Sequence, residues 1–207
     1  MMVQTLQASN VNLRVLIDTF GLQRRRDDQF FGEWREDLPE LTDSEKQFLN
    51  KVKEGFLNLV DHPPIQERAV QVSILGPMLF LADFYLPPFH IQTEKSIEIS
   101  EEDEGVVIRG QVDILLVKEQ FWIMVIESKG FSFSTEAGLA QLLAYMLANP
   151  HSSRPGFGMM ATGGIFQFVK LVQGNPPQYA ISDQFGTLNQ VNGIYEVFRI
   201  LKRIGQL

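Results

Sequence analysis

The feature that most constrains the fold is a pair of strand-like segments separated by three polar residues. Residues 106–117 and 121–127 are rich in Val, Ile, Leu and aromatic residues, and Lys118, Glu119 and Gln120 join them. Such a pair predicts a β-hairpin. The second segment begins FWIMVI, which is apolar at odd and even positions alike, so both of its faces should be buried. The hairpin should therefore lie at the centre of a sheet.

Charged residues follow the buried strand directly, in the order Glu127, Ser128, Lys129. Glu127 and Lys129 should project to the same face because side chains alternate along a strand with a period of two. Asp113 and Glu127 are each seven residues from Gln120, so a hairpin that turns there brings them face to face. The inference depends on the turn, since a shift of one residue moves a side chain to the opposite face. We expect three ionisable groups at one edge of the central strand.

Two carboxylates at this spacing repel each other, and burial increases the cost. A cation must compensate for them. Lys129 supplies one positive charge, and clustered carboxylate oxygens beside open solvent are also the ligands that Mg²⁺ prefers. An isolated Glu-x-Lys triplet is more often a structural salt bridge, so the triplet alone does not decide between these interpretations.

Two helices are predicted before the hairpin. Residues 42–45 (Thr-Asp-Ser-Glu) form a capping box, which indicates a helix that ends before Pro63. A second helix should run from near Gln66 toward Asp83, with a kink or a break at Gly76-Pro77.

Two further helices are predicted after the hairpin. Residues 135–148 are nearly all apolar helix formers, and Gln141 and Tyr145 add two polar side chains to one face of this helix. Gly163-Gly164 separates two more strand-like segments, as in a tight hairpin. The last helix, over residues 194–204, is amphipathic, and its apolar face either closes the core or forms a homodimer interface.

The order of these elements is helix, strands, helix, strands, helix. It predicts an α/β fold at the border with α+β, with a central mixed β-sheet flanked by helices. A chain of 207 residues suits one well-buried core. We expect residues 65–207 to form that core and residues 1–64 to form a helical N-terminal extension, together in one compact unit.

The composition limits the classes of function. The chain has no cysteine, which excludes disulfides, thiolate metal sites and a cysteine nucleophile. Its net charge of −7 argues against a surface that binds nucleic acid everywhere. A local basic groove is still compatible, either at residues 24–26 (three Arg) or at Arg199, Lys202 and Arg203. No signal peptide or membrane span is visible, so we expect a cytoplasmic protein without a membrane partner.

Three short motifs carry a family resemblance: GQVD at residues 110–113, ESK at residues 127–129 and QLLAY at residues 141–145. They resemble the G-x-x-D, E-x-K and Q-x-x-x-Y motifs of the PD-(D/E)xK nuclease superfamily. The likeness is to its RecB-like branch, especially the nuclease domain at the N-terminus of type I restriction enzyme R subunits. The run from Asp103 to Pro150 is also similar to a cyanobacterial family of small stand-alone restriction-endonuclease-like proteins. The resemblance covers roughly residues 66–172, and Val112 stands where the superfamily name has proline.

The resemblance implies a restriction-endonuclease-like core and a metal-dependent nuclease that hydrolyses phosphodiester bonds. DNA is the expected substrate. Asp113 and Glu127 would ligate Mg²⁺, for which Mn²⁺ can substitute, together with the backbone carbonyl of Ser128. Lys129 would orient or help deprotonate the attacking water and stabilise the developing charge. Glu67 matches an acid on the helix before the sheet and would bind metal through water.

Gln141 and Tyr145 would hold the substrate backbone or the groups that support the metal ligands. Two other functions stay open. The same fold could serve as a catalytically inactive module that binds nucleic acid or a protein partner, and a similar carboxylate site could serve a phosphatase or another small-molecule hydrolase.

Overall fold

The computed structural model describes residues 4–101, 105–132, 135–151, 153–189 and 192–207, and for residues 135–137 it describes the backbone alone. Within these ranges eight strands form one mixed sheet. The strands are β1 (Gln4–Gln7), β2 (Gln23–Arg24), β3 (Phe89–Glu101), β4 (Val106–Lys118), β5 (Phe121–Ser128), β6 (Gly156–Ala161), β7 (Ile165–Val172) and β8 (Gln178–Gly186). They lie in the order β1-β4-β5-β6-β7-β8-β2, and β3 pairs with β4. The predicted α/β fold with a mixed sheet is confirmed.

Helices cover both faces of this sheet. In the described part of the chain they are α1 (Leu13–Phe20), α2 (Asp43–Val60), α3 (Glu67–Val70), α4 (Gly76–Leu81), α5 (Thr135–Leu147) and α6 (Gly193–Gly205). One buried cluster joins the sheet to α2, α4 and α6, and a second joins it to α1 and α5. None of the described helices is long and apolar enough to cross a membrane.

The helix predictions agree closely with the structure. Thr42 and Glu45 form the predicted capping box at the start of α2. The break expected at Gly76-Pro77 is a five-residue π-helical segment, Gln71–Leu75, that lies between α3 and α4. Pro77 has no backbone N–H to donate to the preceding turn. It lies in the first turn of α4, where a backbone N–H has no acceptor within the helix. The apolar face of α6 packs into the first cluster and closes the core.

The first 64 residues contribute more than the expected helical extension. β1 pairs in parallel with β4, and β2 pairs in parallel with β8, so both belong to the same sheet. These strands have only four and two residues, which is too short for an alternating pattern to appear in the sequence.

The central hairpin has the predicted register. A two-residue turn and a β-bulge together produce it, and the sequence shows neither. Its turn contains two residues, Glu119 and Gln120, and Glu119 adopts a positive φ of 57°. Ile123 is then an extra, bulged residue, because Leu116 pairs with Met124 while Val117 pairs with Trp122. The bulge shifts the pairing by one residue, so that Ile114 lies opposite Ile126. The next residues on the two strands are Asp113 and Glu127.

A gap in the sheet lies beside Asp113. β3 pairs with β4 from Phe89–Lys118 to Glu101–Val106, with an interruption at Glu94 and Asp113, so β1 and β5 must share the opposite edge of β4. The pairing with β1 ends at Arg109 and the pairing with β5 begins at Ile114, which leaves residues 110–113 without a strand partner on this edge. Val112 packs in the cluster with α5 whereas Ile114 packs in the other cluster, so the usual alternation breaks at Asp113.

Gly110 lies in this gap and has no room for a side chain. A Cβ atom there would lie 2.7 Å from Cε1 of Tyr145 and 2.8 Å from Cβ of Ala8, and both of these side chains are buried. We predict that Gly110→Ala lowers the free energy of unfolding by about 1–3 kcal/mol, measured by urea denaturation.

Gly55 is the matched control, since a Cβ atom there meets nothing within 4 Å and the residue lies inside α2. Gly55→Ala should raise the free energy of unfolding by roughly 0.5–1 kcal/mol. If Gly110→Ala were as stable as the parent protein, the close approach of Tyr145 to β4 would be wrong.

Candidate functional site

The carboxylate of Asp113 holds the end of β5. Its Oδ2 atom accepts hydrogen bonds from the backbone N–H of Ser128, at 2.7 Å, and from the hydroxyl of Ser128, at 2.8 Å. Backbone pairing between β4 and β5 stops at Ile114 and Ile126, so this side chain replaces the next step of the ladder. Asp113 therefore contacts Ser128 directly rather than Glu127.

A third residue completes a chain of hydrogen bonds. Nε2 of Gln71 donates to Oγ of Ser128 at 2.7 Å, and that hydroxyl in turn donates to Asp113. Gln71 is the first residue of the π-helical segment, four residues after Glu67. The sequence motifs do not include Gln71, and they imply only a backbone role for Ser128. The four-residue spacing from Glu67, which places both on one helix face, was the signal that could have found it.

Glu127 and Lys129 form an ion pair that lies close enough to Asp113 for its charge to act on both side chains. Nζ of Lys129 lies 2.5 Å from Oε1 of Glu127, as expected for side chains two residues apart on a strand. The Glu127 side chain is only 1% exposed and that of Lys129 is 23% exposed. The second oxygen of Glu127, Oε2, is buried and has no hydrogen-bond partner in the described part of the chain.

Burial raises the pKa of Glu127 to about 8, and the negative charge of Asp113 adds to the shift, while Lys129 opposes it. Burial and the charge of Asp113 likewise raise the pKa of Glu67, which lies at the start of α3. Burial alone would lower the pKa of Lys129, but the hydrogen bond and the charge of Glu127 outweigh it, so the net change is upward. Three carboxyl groups, those of Glu127, Asp113 and Glu67, thus lie close enough for their charges to act on one ammonium group.

The polar pair on α5 lies next to these charges. Nε2 of Gln141 donates to the hydroxyl of Tyr145 at 2.7 Å, and both side chains are buried. The Tyr145 hydroxyl also bonds to the backbone of Gln111, on the open edge of β4. Burial raises the pKa of Tyr145 to about 12, and the charges of Glu127 and Asp113 contribute to the increase. Tyr145 therefore fills the gap beside the carboxylates, and Gln141 reaches the site through Tyr145.

The structure brings most of the predicted site residues together. Asp113, Glu127, Ser128 and Lys129 lie at the ends of β4 and β5, and Glu67 is close enough for its charge to act on Asp113 and Lys129. A polar pocket of 580 Å³ adjoins Tyr145 and Gln141 on the α5 side. Its other lining residues include Gln7, Ser9, Ser96, Glu98, Arg109 and Gln111.

The basic residues of the last helix do not form a free basic surface. Arg199 pairs with Glu196, Lys202 pairs with Glu45 at 2.6 Å, and Arg203 lies 3.6 Å from Asp37. Their charges are largely neutralised, so this candidate groove for nucleic acid loses its electrostatic basis.

The donor atoms of the site suit a divalent cation in their chemistry. Among the residues that the structure describes, no three acidic or histidine side chains converge closely enough to form a complete metal site alone. Mg²⁺ usually binds one or two protein carboxylates and keeps several waters, so it does not require such a cage. Asp113 and Glu127 supply oxygen donors, and Oε2 of Glu127 is buried without a partner. This unpartnered oxygen is the observation that fits a cation.

No protein-family model and no curated protein matches the sequence.

The hydrogen-bond chain makes a prediction about stability. Ser128→Ala removes the hydroxyl that joins Gln71 to Asp113, and we expect it to lower the free energy of unfolding by about 1–3 kcal/mol. Gln71→Leu should have a smaller effect. The loss of unfolding free energy in the double variant should be smaller than the sum of the two single losses by at least about 0.5 kcal/mol, because both changes break the same hydrogen-bond chain. Urea denaturation of the four proteins measures this coupling, and strict additivity would contradict it.

The pKa of Glu127 makes a prediction about pH. Burial raises the pKa of the Glu127 carboxyl to about 8 in the folded protein, whereas in the unfolded chain this pKa returns to its ordinary value of 4.5. The group's contribution to stability is therefore complete below pH 4.5 and is lost as the pH rises to 8. Glu127→Gln cannot titrate, so its melting temperature should fall less than that of the parent across this window. The pKa of Glu67 is also raised, and its charge acts on Glu127, so the difference between the two slopes reports Glu127 together with this coupling. Identical slopes would contradict the shift.

Proposed function

We propose that this protein is a metal-dependent nuclease that hydrolyses phosphodiester bonds, with DNA as the first substrate to test and Mg²⁺ or Mn²⁺ as the cofactor. The proposal rests on the site at the end of the central hairpin and on the three motifs that lead to it. The observation that carries most weight is the buried Oε2 atom of Glu127, which has no hydrogen-bond partner among the described residues and lies near Asp113 and Lys129.

The motif resemblance implies a role for each residue of this site. Asp113 and Glu127 would hold the cation, which when bound makes a coordinated water more acidic and neutralises charge on the phosphate. The backbone carbonyl of Ser128 is a further candidate ligand, and Glu67 would bind through water. Two hydrogen bonds from Ser128 fix the Asp113 carboxylate, so this ligand is already oriented.

Lys129 is the cationic group of the site. Its ammonium is partly exposed, and the surrounding carboxylates raise its pKa, so it stays charged at neutral pH. A charged donor at this position would hold the attacking water and stabilise negative charge on the phosphoryl oxygens. Tyr145 and Gln141 would support the site from α5, next to the polar pocket.

The ion pair between Glu127 and Lys129 favours a second candidate function. A 2.5 Å contact between these side chains already neutralises one oxygen of Glu127. If this pair is purely structural, the fold would be a non-catalytic module that binds nucleic acid or a protein partner. The two candidates differ in whether the site takes up a divalent cation.

A cleavage assay tests the proposal. Plasmid, linear and single-stranded DNA, with RNA in parallel, would be incubated with the protein in Mg²⁺ or Mn²⁺ and with EDTA. We predict cation-dependent cleavage of at least one substrate. Asp113→Asn, Glu127→Gln and Lys129→Ala should each reduce the rate by about 100-fold or more, because each removes a ligand or the charged donor.

Lys51→Ala and Glu54→Gln are matched controls, since both residues are exposed on α2. Both control variants should cleave the substrate at the rate of the parent protein. If Asp113→Asn and Lys129→Ala cleaved the substrate as fast as the parent protein does, the assigned site would be wrong. An absence of both cleavage and cation binding in the folded parent protein would favour the non-catalytic module.

A further inference from the structure

The hydrogen-bond chain at the carboxylate site has a defined direction. An ionised carboxylate only accepts hydrogen bonds, and a serine hydroxyl has a single proton to donate. Oγ of Ser128 lies 2.8 Å from Oδ2 of Asp113, so the hydroxyl proton is donated there. The group that contacts this hydroxyl from the other side must therefore be a donor, and it is the side-chain amide nitrogen of Gln71, at 2.7 Å.

The two oxygens of the Asp113 carboxylate differ in their contacts. Oδ2 accepts both the hydroxyl and the backbone N–H of Ser128, whereas Oδ1 has no hydrogen-bond partner among the residues that the structure describes. Oε2 of Glu127 likewise has no partner in this part of the chain. Each of the two carboxylates thus keeps one oxygen free of protein donors, and in Asp113 that oxygen is Oδ1.

The helix break holds Gln71 in place. Gln71 is the first residue of the π-helical segment, and the backbone N–H of Gly76 donates to its carbonyl, five residues earlier. A Cβ atom at Gly76 would lie 3.2 Å from that carbonyl oxygen, so the contact is close. Short π-helical segments occur frequently at functional sites. The buried hydroxyl of Ser128 therefore receives its donor from a backbone segment with an unusual, fixed geometry.

The surroundings of Gln71 favour a neutral donor over an acceptor. The charge of Asp113 acts on both Glu67 and Glu127, so three carboxyl groups share one small region. The amide of Gln71 donates a hydrogen bond to this region without adding charge. A glutamate side chain has the same length but only accepts while it is ionised, and Ser128 would then have to donate to it instead of to Asp113.

We propose that Gln71 is a positioning residue of the cation site. Its amide donates to Ser128, which directs the hydroxyl proton to Oδ2 of Asp113 and leaves Oδ1 as the oxygen that ligates the cation. Replacing a group that orients a metal ligand in this way typically weakens metal binding by about 10–100-fold. The inference rests on the proposed function, because it concerns the cation which that function requires.

Two substitutions separate the direction of the hydrogen bond from packing. Gln71→Glu turns the donor into an acceptor, and Gln71→Met removes the hydrogen bond but keeps an unbranched side chain. Mn²⁺ affinity would be measured without nucleic acid, from the electron paramagnetic resonance signal of the free ion. We expect Gln71→Met to weaken Mn²⁺ binding by about threefold to tenfold. Gln71→Glu should weaken it by about tenfold or more, although its added negative charge by itself attracts the ion.

Gln66→Glu is the matched control for the added charge. It makes the same change at an exposed residue just before α3, and the Gln66 side chain makes no capping hydrogen bond to that helix. Its Mn²⁺ affinity should stay within about twofold of the parent value, because solvent screens an exposed charge.

A metal-free crystal structure of Gln71→Glu tests the reversal of the chain directly. Oγ of Ser128 should lie within hydrogen-bond distance of the introduced carboxylate and beyond about 3.5 Å from Oδ2 of Asp113. The backbone N–H of Ser128 should then be the donor that remains on Asp113. An unchanged contact between the Ser128 hydroxyl and Asp113 would overturn the inference.

Failure of this inference and failure of the proposed function give different results. If the parent protein binds Mn²⁺ and Gln71→Glu binds it equally tightly, Gln71 does not position the site, and the nuclease assignment is unaffected. Gln71→Met keeps the test valid if Gln71→Glu does not fold, and parent-like Mn²⁺ affinity in that variant would also overturn the inference. If the folded parent protein binds no Mn²⁺, the cation site is wrong, and the proposed function and the inference both fail.

Discussion

The two hydrogen bonds that Ser128 donates to Asp113 are the interaction on which the candidate site depends. They join β4 and β5 at the point where backbone pairing ends, so the strand end that carries Glu127 and Lys129 keeps a fixed position. Gln71 braces the same hydroxyl from the helical side. The gap between β1 and β5 leaves room there for side chains from both faces of the sheet. Asp113 thus holds the end of β5 in place and is also one of the two proposed cation ligands.

Glu127 is the costly residue of this arrangement. A carboxyl group with 1% exposure and an oxygen without a partner loses its hydration and recovers only part of it from Lys129. A buried apolar residue would fill the same position at lower cost. Groups with strongly shifted pKa values of this kind concentrate at functional sites, because catalysis and cation binding need the destabilised charge. The same reasoning explains why Tyr145, a satisfied and buried hydroxyl, is better suited to support than to proton transfer at neutral pH.

The sequence predicted the central hairpin, its partner helices and the convergence of Asp113, Glu127 and Lys129, because hydrophobic period and motif order are local properties. The sequence could not show how the register arises. It suggested a three-residue connection, whereas a two-residue turn and a bulge at Ile123 together give the same pairing. Strands β1 and β2 are too short to leave a pattern. The spacing from Glu67 could have placed Gln71 on the same helix face, but the contact between Gln71 and Ser128 spans 57 residues and depends on a π-helical segment, so the sequence does not show that partner.

The most direct test of the central claim is anomalous diffraction from crystals of the protein soaked in Mn²⁺. The account predicts an anomalous peak within coordination distance of carboxylate oxygens of both Asp113 and Glu127, with Lys129 displaced from the Glu127 oxygen that it contacts here. The same soak of Asp113→Asn crystals should give a weaker peak or none. A well-ordered parent structure without a peak at this position, and with the Glu127–Lys129 ion pair unchanged, would contradict the account.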